Sequence, residues 1–187
     1  MKWIKTLSVV CLGIMMTACN NEQSLQQYYV ENQSNKDFVA IDVPTSLFTN
    51  SESLNADQKR TLETIKKINV LAIPQKTENK LRIEEEKANV NNILKDEKYQ
   101  LLMRLGGGES RIEIYFTGEE EAIDELILYG FDENRGMGIA RVLGDNMNPG
   151  DIINLMKSLE KGDLDLNGLS GIAQMFTDGG STPQEAE

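Results

Sequence analysis

The sequence predicts an α+β domain: a largely antiparallel sheet of about five strands, with helices packed on one face. Three observations point there. Period-two alternation marks residues 37–43 and 111–117, and residues 69–74 form a short apolar run closed by proline. Two more, "DELILYGF" and "MGIARVLG", flank the turn-rich "DENRG" at residues 132–136, which reads as a hairpin. Stretches with helical periodicity alternate with these runs instead of forming a separate block.

The elements follow in order. "DFVAIDV", residues 37–43, sets Phe38, Ala40 and Asp42 against Val39, Ile41 and Val43, and Pro44 stops the strand. Asn55 with Gln58 three residues later forms a capping-box start, and Leu62, Ile65 and Ile68 share one helical face. "NVLAIP", residues 69–74, is a short buried strand closed by proline. Residues 79–95 place Ile83, Val90 and Leu94 on one side, with Glu84, Glu85, Glu86 and Lys87 mostly outward. After Asp96, "KYQLLMRL" reads as a second helical piece, with Tyr99, Leu102 and Met103 inward, broken by Gly106 to Gly108. "RIEIYFT", residues 111–117, puts Ile112, Ile114 and Phe116 on one face. Asn148 as cap and Pro149 at the first helical position open an amphipathic helix with Ile152, Leu155, Met156 and Leu159 on its apolar side.

Residues 37–160 therefore form a single domain, and 161–187 read as a flexible acidic tail ending in "DGGSTPQEAE". The N-terminus carries an address. Lys2 and Lys5 precede the uncharged, largely apolar "LSVVCLGIMM", residues 7–16, which is shorter than the roughly 20 residues a spanning helix needs. Thr17 and Ala18 supply small residues before a cleavage point, so residues 1–18 read as a signal peptide. "MTAC" resembles a lipobox, in which cleavage precedes the cysteine and its thiol is acylated; Met16 stands where leucine is usual. The expected lipidation site is Cys19, with diacylglycerol and palmitate supplying the more than one acyl chain that stable anchoring requires. Residues 19–36 then form the lipidated cysteine and a polar tether, roughly 20–25 Å end to end if flexible. Leu25, Tyr28 and Tyr29 stand at helical spacing and suggest a short docked helix within it.

Composition narrows the chemistry. The 187 residues hold 19 Lys and Arg against 30 Asp and Glu. Without Lys2 and Lys5 the balance becomes 17 against 30, or −13. Such a surface repels nucleic-acid phosphates, so no nucleic-acid partner is expected. Histidine is absent, which removes Ser-His-Asp and Cys-His catalysis and His-ligated zinc. Both cysteines, Cys11 and Cys19, precede the domain, so neither a disulfide framework nor a thiol nucleophile is expected within it.

Two stretches resemble ligand loops. In "GDLDLNG", residues 162–168, Asp163, Asp165 and Asn167 with Gly168 fit the front half of a calcium-binding EF-hand loop. The twelfth position is Gln174, which lacks the bidentate carboxylate, so a turn is the preferred reading and calcium the weaker one. "LGGGES", residues 105–110, follows a predicted helix instead of opening one, so no helix N-terminus faces an anion there. The acidic runs 84–86 and 119–121 read as solvated faces, and the methionines as core fillers.

The segments "SLQQYYVENQSNKDFVAIDVP", "INVLAI", "ILKDEKYQLLMRL", "GEEEAIDELILYGFD" and "ARVLGDNMNP" occur in an order and spacing that resemble the Bacteroidetes-type lipoproteins grouped as domain of unknown function 4252. The resemblance spans about residues 24–160. It implies a cell-envelope lipoprotein of Flavobacteria and their relatives, with no established activity and no catalytic residues to carry over. In such bacteria an acidic run just after the lipidated cysteine can direct surface export. Only Glu22 is acidic near Cys19, so the resemblance implies an outer-membrane protein facing the periplasm, with cell-surface exposure as the alternative.

The functional expectation is a non-enzymatic periplasmic binding or accessory module, anchored to the membrane by Cys19 and touching an envelope protein through its sheet or last helix. No cofactor is expected beyond the covalent lipid. An envelope-stress sensor, suggested by analogy with the family, is the alternative. An enzyme using carboxylates and a divalent metal stands behind both.

Overall fold

The computed structural model describes residues 23–43 and 54–160. The expected signal peptide, Cys19, and the candidate loop at Asp163, Asp165 and Asn167 lie outside the described residues, as does the expected tail. The described chain runs α1 (Leu25–Asn32), β1 (Val39–Val43), α2 (Ala56–Thr64), β2 (Ile65–Pro74), a 3-10 turn (Thr77–Asn79), α3 (Lys80–Ile93), β3 (Gln100–Gly107), β4 (Ser110–Glu119), β5 (Ala122–Asp132), β6 (Gly136–Met147) and α4 (Pro149–Glu160). The strands form one sheet in the order β1-β2-β6-β5-β4-β3. Every neighbouring pair is antiparallel.

The α+β reading holds, with six strands in place of about five. The added strand is β3, which occupies the stretch expected to be helical. Leucine, methionine and arginine favour helices locally, but pairing with β4 along the whole strand overrides that preference. The three glycines then serve a hairpin: Gly106 at φ +77° and Gly108 at φ +65° take left-handed conformations between β3 and β4. The second difference is Ile65. It begins β2 instead of continuing the helix, so that strand is ten residues long and pairs with β6 over nearly all of its length.

Helices cover both faces of the sheet, where the sequence predicted a cover on one face only. On one face α1 and α3 bury Leu25, Tyr28, Ile83 and Val90 against Leu71, Ile127 and Ile139. All five tyrosines belong to this cluster, and it is called the tyrosine face below. On the opposite face α2 and α4 bury Leu62, Ile152 and Leu155 against Val142, Leu126 and Phe116. Two covers are needed because β2, β5 and β6 carry large apolar side chains on both sides of the sheet. The helix caps read from sequence are present, Asn55 as a full capping box. The Asn55 side chain accepts from Gln58 N at 2.9 Å, and Asn148 accepts from Asp151 N at 3.2 Å.

Helix α1 belongs to the domain. Its Ser24 capping box closes on Gln27, and Leu25 N donates to the Tyr99 hydroxyl at 3.0 Å. Chain length between Cys19 and the packed domain is therefore set by residues 20–23, at most roughly 15 Å when extended.

Candidate binding surface

The cross-strand register turns the face under α2 and α4 into three rows. Nearest those helices runs Val43–Ile68–Val142–Leu126–Phe116–Gln100. Beside it runs Ile41–Val70–Ala140–Leu128–Ile114–Met103, and beyond that Val39–Ala72–Gly138–Gly130–Ile112–Leu105. None of these positions is charged. We call this the uncharged face. Paired inward positions contribute to a sheet only when something dry lies over them, and here the covering helices reach only part of the face.

The outermost row is shaped as well as bare. Gly130 and Gly138 sit directly opposite each other, flanked by Ala72 on one side and Ile112 on the other. Their missing side chains leave a trough of about 320 Å³, with Ala72, Pro74 and Ile112 among its walls and Arg135 at its end. Neither glycine needs a left-handed backbone, and a Cβ on Gly130 would meet Ile112 Cγ1 at 3.5 Å and the Arg111 carbonyl oxygen at 3.7 Å, both ordinary contacts. Turn geometry therefore does not account for them; what they do is keep the floor flat.

Strand β3 closes the sheet at one edge. Among the described elements it packs substantially only on β4. Leu101 and Leu105 are about half exposed, and Met103 and Ile112 only slightly less so. Arg104 is the one charge in the strand, and it is tied to buried Glu113, with Nε 2.7 Å from Glu113 Oε1. Long apolar edges usually carry a lysine, a proline or a bulge as protection. Here there is one register shift, between Leu101 and Met103, and no such residue.

The tyrosine face holds the ionisable groups. Glu113, almost fully buried, accepts from the Tyr115 hydroxyl at 2.6 Å and lies 3.3 Å from Arg111 Nε as well as beside Arg104. Burial pushes its carboxyl upward, but the Tyr115 hydroxyl and Arg104 outweigh that and hold it below the ordinary range. Both oxygens are thus already engaged. Glu86 is buried too. It accepts from the Tyr28 hydroxyl at 2.8 Å and pairs with Arg82 at 2.6 Å, so the run 84–86 is not uniformly solvated. Arg141 spans β6 to α1, donating to Glu125 at 2.5 Å and to Gln26 at 2.8 Å. The Tyr129 hydroxyl is buried without a hydrogen-bond partner among the described residues, and burial followed by the nearby Glu113 charge raises its pKa. No cluster of three or more metal-ligating side chains occurs among the described residues.

Sequence reasoning placed its two candidate sites, Cys19 and the 163–167 loop, outside the described residues, and found neither the trough nor the Glu113 network. The visible signal was "LYGF" opposite "MGIA": a glycine in each arm of a hairpin, two residues from its turn-proximal end. Over residues 28–155 the chain matches the family model described as domain of unknown function DUF4252. No curated protein and no solved structure matches it.

Proposed function

The chain belongs to the DUF4252 family, and from that premise we propose that it is a lipid-anchored accessory module of the cell envelope. In this reading it works without catalysis, is held on the periplasmic side of the outer membrane by acylated Cys19, and docks an extended apolar segment of another envelope protein along β3. The anchor reading rests on the basic start, the short apolar run and the "MTAC" lipobox. The docking reading rests on one observation, the β3 edge that no other described strand pairs with. Alternate backbone N–H and C=O groups of an edge strand point away from the sheet, and added strands pair with them. Leu101, Met103 and Leu105 give such a strand apolar contacts on both sides.

Two experiments test this. Cys19→Ala should abolish incorporation of labelled palmitate and release the protein from membranes; a variant that keeps label and attachment overturns the anchor. For docking, a photo-crosslinker at Leu101 in native envelopes should trap one protein. The trap should be lost in Leu105→Lys while thermal stability is unchanged, because Leu105 is half exposed. Trapping of lipid alone, or trapping that Leu105→Lys leaves intact, overturns it.

A further inference from the structure

We propose that the strand docking on β3 carries acidic side chains on the tyrosine face of the sheet, alternating with apolar ones on the uncharged face. It rests on the β3 docking reading and adds the chemistry of the partner. Between Met103 and Gly107 the pairing of β3 with β4 runs without a register shift, so alternation sorts the side chains onto two faces. Met103 and Leu105 lie opposite Ile114 and Ile112, on the uncharged face. Arg104 and Gly106 lie opposite Glu113 and Arg111, on the tyrosine face. An added strand continues that alternation, so its own side chains meet an apolar row on one face and arginines on the other.

At this edge of the tyrosine face two cations share one carboxylate. Arg104 Nε lies 2.7 Å and Arg111 Nε 3.3 Å from the same oxygen, Glu113 Oε1. The other oxygen, Oε2, accepts from the Tyr115 hydroxyl at 2.6 Å. Among the described residues no second carboxylate forms an ion pair with either arginine. Exposure then separates the signs. The Glu113 side chain is 4% exposed, against 51% for Arg104 and 34% for Arg111, so the carboxylate lies beneath and the guanidinium groups meet what arrives. Arg111 Nε is buried without a hydrogen bond, and its guanidinium is held over the Phe131 ring, 5.1 Å from the centroid. Lys87 stands over the same ring but adds nothing to the surplus, because Glu84 pairs with it at 2.9 Å.

That surplus is within reach of an added strand. Arg104 is on β3 itself, so the residue opposite it is a direct cross-strand neighbour. Arg111 is one strand further in, and Gly106 opposite it has no side chain to stand between them. A glutamate or aspartate arriving there forms charge-assisted hydrogen bonds with guanidinium groups that Glu113 and Phe131 already hold in place. A lysine at the same position is repelled, so the edge discriminates between acidic and basic segments. The field of the whole chain acts in the opposite sense. With 30 Asp and Glu against 19 Lys and Arg it attracts basic segments, so a preference for acid has to come from the edge itself. A second copy of the chain is the poorer occupant, because its β3, "QLLMRLGG", has no carboxylate to set against Arg104.

The test uses the chain produced from residue 19 and three short fluorescent peptides that alternate valine with glutamate, glutamine or lysine. Fluorescence anisotropy at about 0.15 M salt should show the glutamate peptide binding roughly fivefold more tightly than the lysine peptide, with glutamine between them. Arg104→Gln should abolish that preference and Arg104→Lys should retain it, a split that loss of a merely structural contact does not produce. If Arg104→Gln does not fold, Arg111→Gln replaces it, since Arg111 Nε makes no hydrogen bond that the change would break. An undiminished preference in the variant overturns the proposal. Equal or tighter binding of the lysine peptide also overturns it, while leaving docking on β3 in place. Failure of all three peptides to bind overturns the β3 reading and this proposal together. Dimerisation of the free chain that Leu105→Lys removes assigns the edge to a second copy and overturns it as well.

Discussion

The Tyr28 hydroxyl donates a 2.8 Å hydrogen bond to Glu86 Oε2, joining α1 to α3 across a sequence separation of 58 residues. Glu86 is also paired with Arg82, so its charge is buried but answered twice. This bond fixes where the domain begins. A helix held by a buried tyrosine, by Leu25 N on the Tyr99 hydroxyl and by Tyr29 on Asp42 is part of the core.

Removing that bond tests the point. Tyr28→Phe keeps the ring against Phe38 and removes only the hydroxyl, leaving Glu86 with Arg82 alone. The expected loss is about 1–2 kcal/mol of unfolding free energy by urea denaturation. Leu25→Ala, which opens a void at a fully buried position, should cost more, about 2–4 kcal/mol. Losses below about 0.5 kcal/mol in both variants would mean that α1 is not packed as described.

The acid limit of stability should follow Glu113 and Asp42. Both carboxyls are raised by burial and then pulled below their ordinary values: Glu113 by Tyr115 and Arg104, Asp42 by Tyr29 and Asn69. A depressed folded-state pKa stabilises the fold above the unfolded value, and that contribution is lost as pH falls through the folded value. Stability should therefore decline from about pH 4.5 downward. Glu113→Gln should cost about 2 kcal/mol at pH 7, with the gap to the parent narrowing below pH 4. A gap that stays constant from pH 7 to pH 3 would contradict the assignment.

The alkaline limit should follow the tyrosines. Burial, with the hydrogen bonds to Asp42 and Glu113, raises Tyr29 and Tyr115 from 10.0 to about 12. Burial pushes Tyr28 and Tyr129 up as well. For these groups the stabilisation is complete below pH 10 and is lost as pH rises through the folded values. The only tryptophan is Trp3, so in a chain produced from residue 19 phenolate absorbance near 295 nm reports the tyrosines without indole overlap. Ionisation should lag free tyrosine and rise together with loss of secondary structure between about pH 10 and 12. A titration centred at pH 10 with the fold intact would place the hydroxyls in water.

Elements whose signals are local were legible in the sequence. The 124–144 hairpin has alternation in both arms and a glycine-closed turn, and α4 has its cap and proline side by side. What failed were elements decided at a distance. "KYQLLMRL" contains no β-branched residue, and Leu62, Ile65 and Ile68 imitate a helical face, so local preference favoured helix in both places. Pairing with β4, and with β1 and β6, decided otherwise. The same reason hid the candidate surface. A row such as Ala72–Gly138–Gly130–Ile112 draws one residue from each of four strands, and Glu113 meets Arg104 only through the β3–β4 register. Neither is a word in the sequence.

The β5–β6 turn offers a test of that long-range geometry at one atom. Gly136 has φ +106°, and a Cβ there would lie 2.0 Å from the Ile73 carbonyl oxygen and 2.7 Å from Gln75 N. Both obstacles are backbone, so no side chain can swing aside. The turn itself is fastened by Asp132, whose Oδ1 accepts from Asn134 N at 2.9 Å and Arg135 N at 3.0 Å. Gly136→Ala should therefore destabilise by about 3 kcal/mol, combining the left-handed strain of a non-glycine residue with displacement of β2. Gly130→Ala, one strand away and free of both constraints, should stay within about 1 kcal/mol of the parent. Equal losses in the two variants would mean that the β2–β6 register near the turn is wrong. A large loss confined to Gly136→Ala ties the hairpin read from local sequence to the strand that the sequence concealed.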